Sequence, residues 1–209
     1  MVEKAPSETA TISPRTRGRN SMTINQQHQL EEYEALVQRY SKTLDLSSPK
    51  KLQAFTSAIE NSKKYAEIVK VSARVLDIGS GVGLPGVPLA ILRPEIQVTL
   101  CEIRQKRAAF LERVVSSIHI SNAHVYNGDV QQIRDQTFNT VTAQAVGTLK
   151  HVYQICSHVL DLSWVIISNK GATVDQEIEE ISKVTKIRSF TLEKLDDNAS
   201  IVCVYGGQA

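Results

Sequence analysis

The stretch Val75-Leu76-Asp77-Ile78-Gly79-Ser80-Gly81-Val82-Gly83-Leu84-Pro85-Gly86 decides the fold. Its apolar start, Val75 to Ile78, has the length and composition of a buried strand. The run carries one acid, Asp77, and then glycines at every second position, Gly79, Gly81 and Gly83. Glycine lets the chain turn sharply and lets a ligand lie against the backbone where a Cβ would collide. The next apolar run, Val98 to Cys101, ends in a second acid, Glu102. An acid about 20 residues beyond such a loop is placed to accept hydrogen bonds from a ribose. The pattern predicts a nucleoside-binding α/β domain.

Two nucleosides compete for this arrangement. Gly81, Gly83 and Gly86 satisfy the G-x-G-x-x-G spacing of dinucleotide binders. Pro85, however, stands inside the turn where helix packing should begin. Asp77 also opposes a dinucleotide, because a carboxylate just upstream of the loop repels a doubly charged pyrophosphate. S-adenosyl-L-methionine places an ammonium and a sulfonium there instead, and a carboxylate attracts both. The sign of Asp77 selects the methyl donor. Asp77 and the backbone of Gly79, Ser80, Gly81, Gly83 and Leu84 are then expected to hold its methionine part, and Glu102 with Ile103 its ribose side.

Outward from the loop, apolar runs alternate with helical spacing. Strands are expected near 73–78, 97–101, 123–127, 139–144, 163–168, 186–193 and 200–205, with helices near 86–92, 104–119, 147–160 and 174–184. Such alternation implies a mostly parallel sheet covered on both faces. Only Asp196 to Ala199 separate the last two strands, too few for a crossover, so they should pair as an antiparallel hairpin. Upstream, Leu30, Tyr33, Leu36, Val37, Tyr40 and Leu44 recur at helical spacing within 25–44. Pro49 opens a second helix with Leu52, Phe55, Ile59 and Ile68 as its buried side. The expected architecture is α/β: a Rossmann-like class I methyltransferase fold of seven strands with N-terminal helices. Residues 71–209 would form the cofactor-binding domain and 22–70 its helical extension. Segment 1–21, rich in Ser, Thr and Pro, has too few large apolar residues to fold alone and is expected to be disordered.

Composition agrees with one enzyme domain. The chain has 209 residues, 42% of them hydrophobic and 22% charged, which suits a single core. No apolar run approaches the roughly 18 residues that span a membrane, and the N-terminus has no secretory apolar core. Cys101, Cys156 and Cys203 are odd in number, widely spaced and set in apolar runs. They are expected to be reduced buried thiols of a cytoplasmic protein. His28, His119, His124, His151 and His158 lack metal-ligand spacing with them, so no metal is expected. A net charge of +2 proves no nucleic-acid partner.

The segment from Asp77 to Ala90, continuing to Arg93-Pro94, resembles the bacterial 16S ribosomal RNA guanine-N7 methyltransferase family, RsmG or GidB. Gly83-Leu84-Pro85-Gly86-Val87-Pro88-Leu89 is more specific than a generic methyltransferase loop. Lys106-Arg107 followed by Phe110-Leu111 is similar to the family's Lys-Arg-x-x-Phe-Leu helix, and Asn169-Lys170-Gly171 to the end of its fifth strand. Tyr40-Ser41-Lys42 with Leu44 to Ser47 resembles a segment of its N-terminal helices. The resemblance covers about residues 30–205. It implies 16S rRNA or the small ribosomal subunit as partner; the chain itself is expected to be a monomer. A second enzyme reading is methylation of a small molecule, and a third is a cofactor-binding homologue without turnover.

Departures from the family pattern bear on the substrate side. Ala143-Gln144 and Gly128-Asp129-Val130 replace Ser-Arg and Ser-Arg-Val, so arginines suited to phosphate or guanine recognition are missing at both places. The family's His and Asp-Ser segment is not recognisable in residues 50–70. Asp129 with Val130 is expected at the adenine edge. Gln144 and Lys170 are the candidates facing the transferred methyl and the substrate. Guanine N7 has an in-plane lone pair and no proton to lose, so the reaction needs alignment rather than a general base. The Asn-Pro-Pro-Tyr segment of amino-group methylation is absent at Ala143-Gln144-Ala145-Val146, which fits N7 chemistry and the other readings equally. Arg104, Lys106, Arg107 and Arg113 make one helix basic. The plain expectation is a solvated face paired with Glu102 and Glu112; only a border with the pocket would give it a role toward phosphate.

Overall fold

The computed structural model describes residues 22–46, 48–196 and 199–208. The segment 1–21 expected to be disordered lies outside the described residues. Strands β1 (Arg74–Ile78), β2 (Gln97–Glu102), β3 (Ala123–Asn127), β4 (Phe138–Ala143), β5 (Leu160–Lys170), β6 (Ile187–Lys194) and β7 (Ser200–Gly207) form one sheet in the order β3-β2-β1-β4-β5-β7-β6. The ladders from β3 through β5 are parallel. β7 inserts antiparallel between β5 and β6, forming the hairpin expected from the short connection. The core segment of β1 is buried on both faces, which is why Val75-Leu76-Asp77-Ile78 reads as a continuous rather than an alternating run.

Helices α1 (Ile24–Arg39), α2 (Pro49–Ile68), α3 (Gly86–Leu92) and α4 (Gln105–Ser117) pack on one face of the sheet. α5 (Leu149–Cys156) and α6 (Val174–Ser182) pack on the other. The first helix stops five residues before the expected Leu44, and the chain continues in turns up to Asp45 at φ 59°. Leu44 still reaches the core, at 3% exposure, so the apolar spacing outlives the helix itself. β5 begins earlier than expected, because Leu160 pairs with Phe138 ahead of the register shift in β4.

The N-terminal helices are built into the same core as the sheet: Leu30, Tyr33, Val37, Phe55, Ile59 and Tyr65 join Val75, Val87, Leu100 and Leu111. α1 starts on a reciprocal cap in which Thr23 Oγ1 accepts from the Gln26 amide and Gln26 Oε1 accepts from the Thr23 amide. Its polar side chains close the carbonyl ends of the helices beneath it. Gln26 Nε2 donates to Ile91 O and Leu92 O at the end of α3, and Gln29 Nε2 donates to Ile118 O at the end of α4.

α1 also reaches the glycine loop. Tyr33, fully buried, donates its hydroxyl to Val82 O at 2.9 Å. Tyr33→Phe keeps the ring packing and removes that donor, so it should lower unfolding free energy by about 1 kcal/mol. Urea unfolding followed by far-UV circular dichroism checks it, and an unchanged midpoint and slope would remove Tyr33 from the support of the loop.

Candidate functional site

β1 and β4 lie side by side, with the following helices on opposite faces of the sheet. Ligands of open α/β sheets bind in the crevice outside the carboxyl ends of strands at such a reversal. The glycine loop leaves β1 at this point. Gly79, Gly81 and Gly83 take φ of 66°, 60° and 108°, a region L side chains rarely adopt. A Cβ at Gly81 would meet only ordinary contacts, Arg107 Nη1 at 3.6 Å and Gly79 O at 3.7 Å, so there it is the left-handed φ that favours glycine. Gly86 is needed for another reason. A Cβ there would lie 2.4 Å from Leu100 Cδ2 and 2.7 Å from Asp77 Oδ2, so only glycine lets α3 begin directly over the acid.

Glu102 holds the loop in place. Its Oε2 accepts from the Gly81 amide at 2.8 Å and its Oε1 from the Arg104 amide at 2.8 Å. Each oxygen keeps a second lone pair, which leaves the carboxylate able to accept from a vicinal diol while still tying the loops after β1 and β2. Asn127 Nδ2 donates to Glu102 O at 2.9 Å, bringing the end of β3 to the same place. Ile103, 65% exposed, presents an apolar surface beside it. Asp129 caps the short 3-10 turn Val130–Gln132, accepting from the Gln131 amide through Oδ1 at 2.9 Å. Val130 is buried beneath that turn.

Asp77 does not line the surface. It is fully buried under the loop, where Oδ1 accepts from Thr142 Oγ1 at 2.7 Å and Oδ2 makes no hydrogen bond of normal geometry, although it faces the Gly86 backbone. Burial pushes its carboxyl up to about 7; the hydrogen bond from Thr142 opposes the shift, and the charge of Glu102 adds to it. Its negative charge therefore acts through the loop from below and is only partly present near neutrality when nothing cationic lies above.

Gln144 is half-buried in the bend after β4, followed by Ala145 at φ 58° and Gly147. Lys170 is 9% exposed and committed within the protein. Its Nζ pairs with Glu177 Oε2 at 2.9 Å and donates to Gly147 O, while the same Glu177 oxygen accepts from the Leu149 amide at 2.8 Å. In the structure Lys170 thus clamps the loop that carries Gln144 rather than offering an open ammonium. Thr142 and Glu177 were not singled out from the sequence. Their partners lie 65 and 7 residues away, Asp77 for the threonine and Lys170 for the glutamate, and no local motif marks either. A surface hollow of about 620 Å3, lined by Leu162, Lys186 and Arg188 among others, lies at the other end of the sheet and shares no residue with this site.

A seven-stranded sheet of this order, a bare glycine loop at its reversal and an acid ending the second strand define a class I S-adenosylmethionine-dependent methyltransferase. The chain belongs to the GidB family, rRNA small subunit methyltransferase G, whose model matches residues 26–200. It is 31% identical over 201 residues to the ribosomal RNA small subunit methyltransferase G of Desulforamulus reducens, covering 88% of this chain and 83% of that one. The protein of the same name from Acidothermus cellulolyticus is 38% identical over 120 residues, 57% of this chain and 54% of that one. Among solved structures, a SAM-dependent methyltransferase from Aquifex aeolicus superposes with a TM-score of 0.60 at 16% identity, over 79% of this chain and 97% of that one, a likeness of fold.

The buried state of Asp77 gives stability a pH dependence. Between the ordinary carboxyl value of 3.8 and about 7, the folded chain keeps a proton that the unfolded chain has released, so this group lowers stability as pH rises through that window. Asp77→Asn retains an oxygen for Thr142 and has no such titration. The variant should therefore gain on the parent chain between pH 5 and pH 8 in denaturant unfolding; parallel profiles would refute the buried, proton-holding carboxyl.

Proposed function

We propose that this chain transfers the methyl group of S-adenosylmethionine to N7 of a guanine in 16S ribosomal RNA of the small subunit. Membership of the GidB family over residues 26–200 carries this reading. The residues at the loop fit the cofactor. Three left-handed glycines leave main chain bare, Glu102 retains acceptor capacity for a ribose, and the orphaned Asp77 Oδ2 beneath the loop favours a cation above it. Asp77 and the backbone from Gly79 to Leu84 would hold the methionine part, Glu102 and Ile103 the ribose side, and Asp129 with Val130 the adenine edge. The cofactor supplies an electrophilic methyl group on a sulfonium.

The chain's own task is then alignment. Guanine N7 needs no general base, because its lone pair is already available in the ring plane. The protein must hold that lone pair in line at roughly 3–3.5 Å and keep water out. Gln144, on the clamped loop after β4, is the candidate to orient the base. Lys170 acts through that loop, as a positioning residue. An RNA base reaches such a site only when unpaired or flipped out of its stack.

Purified chain incubated with methyl-labelled cofactor and small subunits lacking the modification should place label in 16S RNA, released as 7-methylguanine nucleoside on digestion. Label appearing instead in a metabolite extract would move the substrate to a small molecule, a reading favoured by Gly128-Asp129 and Ala143-Gln144 where family arginines are missing. No label in either pool would leave a binding protein. Independently, Glu102→Ala should weaken adenosylhomocysteine binding by about 1–3 kcal/mol, since a ribose hydroxyl loses its acceptor. Equal calorimetric affinity in both proteins would take Glu102 out of the cofactor site.

A further inference from the structure

The cofactor accounts for the glycine loop and its acids but not for the basic start of α4. Arg104, Lys106 and Arg107 occupy its cap and first turn, which contain no acid, and the capping residue Arg104 makes no side-chain cap bond. A helix N-terminus carries partial positive charge, so cations there oppose the helix dipole. α6 shows the opposite arrangement, with Asp175 and Glu177 in its first turn. The sequence-based expectation of pairing with Glu102 and Glu112 does not hold. Glu102 directs its oxygens to backbone amides, and among the described residues none of the three cations has an acidic partner.

Some cations elsewhere are engaged. Arg113, two turns further along the same helix, lies over the Tyr40 ring at 5.6 Å. Lys63, Lys150 and Lys183 each have a carboxylate within 3.3 Å. Arg39, Lys42, Lys70 and Lys186 also have no carboxylate partner among the described residues, so what sets these three cations apart is that they stand together where α4 meets the cofactor loop. Arg104 and Lys106 are exposed, while Arg107 is half-buried and reaches across to Gly81. Arg104 and Arg107, three residues apart, share one helix face. The basic face therefore does border the pocket.

We propose that Arg104, Lys106 and Arg107 form a rim that binds the phosphates of an RNA strand next to the base presented for methylation. The proposal rests on the RNA reading given above. A flipped base leaves its flanking phosphates at the mouth of the site, and guanidinium groups match phosphate oxygens in planar, bidentate fashion. A polyanion also suits three cations spread over a turn better than the cofactor's single carboxylate does.

The test uses the full chain and a fluorescein-labelled, guanine-containing single-stranded RNA of about 20 nucleotides, with Kd followed by anisotropy as salt is raised. Each phosphate contact contributes about 0.7 to the slope of log Kd against log salt for single strands, so the triple variant Arg104→Gln, Lys106→Gln, Arg107→Gln should lose about 2 from that slope. Arg107→Gln alone should lose about 0.7, which keeps the test open if the triple variant folds poorly. Lys183→Gln, remote on α6, should leave the slope as it is, and adenosylhomocysteine affinity should be the same in all four proteins. An unchanged slope in both rim variants overturns the proposal. So does a tenfold loss of adenosylhomocysteine affinity with RNA binding intact, which would assign the cations to the cofactor's carboxylate. Absence of any salt-dependent RNA binding by the unsubstituted chain would instead sink the RNA reading beneath it.

Discussion

The hydrogen bond from the Gly81 amide to Glu102 Oε2 is the contact on which the site depends. It joins two loops that leave adjacent parallel strands, and the strand ladder leads directly into it. Ile78 pairs with Cys101, Ser80 N then donates to Cys101 O at 3.0 Å, and Gly81 meets the next residue, Glu102. The glycine loop is thus a continuation of sheet pairing rather than an appendage. Its left-handed glycines turn the main chain outward, and the acid stops it from wandering. Because both oxygens of Glu102 are engaged by backbone amides, the carboxylate is already oriented before any ligand arrives.

Beneath the loop the same register sets two polar side chains in a buried, otherwise apolar row. Leu100, Asp77, Thr142, Ile167 and Cys203 lie at successive paired positions from β2 to β7. Thr142 meets one oxygen of Asp77, while the other stays without a partner. Tyr33 of α1 and Tyr65 of α2 close this row from above, and burial, with the nearby charge of Asp77, pushes both hydroxyls up. A carboxyl sealed in this way is costly to ionise. A cation bound over the loop would offset that cost, so any attraction Asp77 exerts on a ligand would pass through the loop from below and depend on pH.

The N-terminal helices therefore do more than cover the sheet. α1 closes the ends of α3 and α4 and holds Val82 through Tyr33. On the opposite face, Lys170 and Glu177 fasten the loop after β4 to α5 and α6. The loops after β1 and β4 are each tied down from one side of the sheet, while the first turn of α4, next to the first of them, carries positive charge without an acidic partner. α1 keeps a reciprocal cap and α6 places two acids in its first turn, whereas α4 starts on cations with neither device.

Amino-acid order alone determined the strand-helix alternation, the terminal hairpin, the glycine loop and the acid that follows it. These depend on local periodicity, backbone freedom and spacing along one segment of chain, all of which are legible in a string of residues. Only the tertiary structure decided the positions of side chains whose partners are distant in sequence. It put Asp77 in the interior against Thr142, and turned Lys170 from an open cation into a buried clamp. It also left Arg107 beside Gly81 with no acid to neutralise it. Burial and pairing depend on which strands adjoin and which helix faces close over them, and no single segment of the chain carries that information.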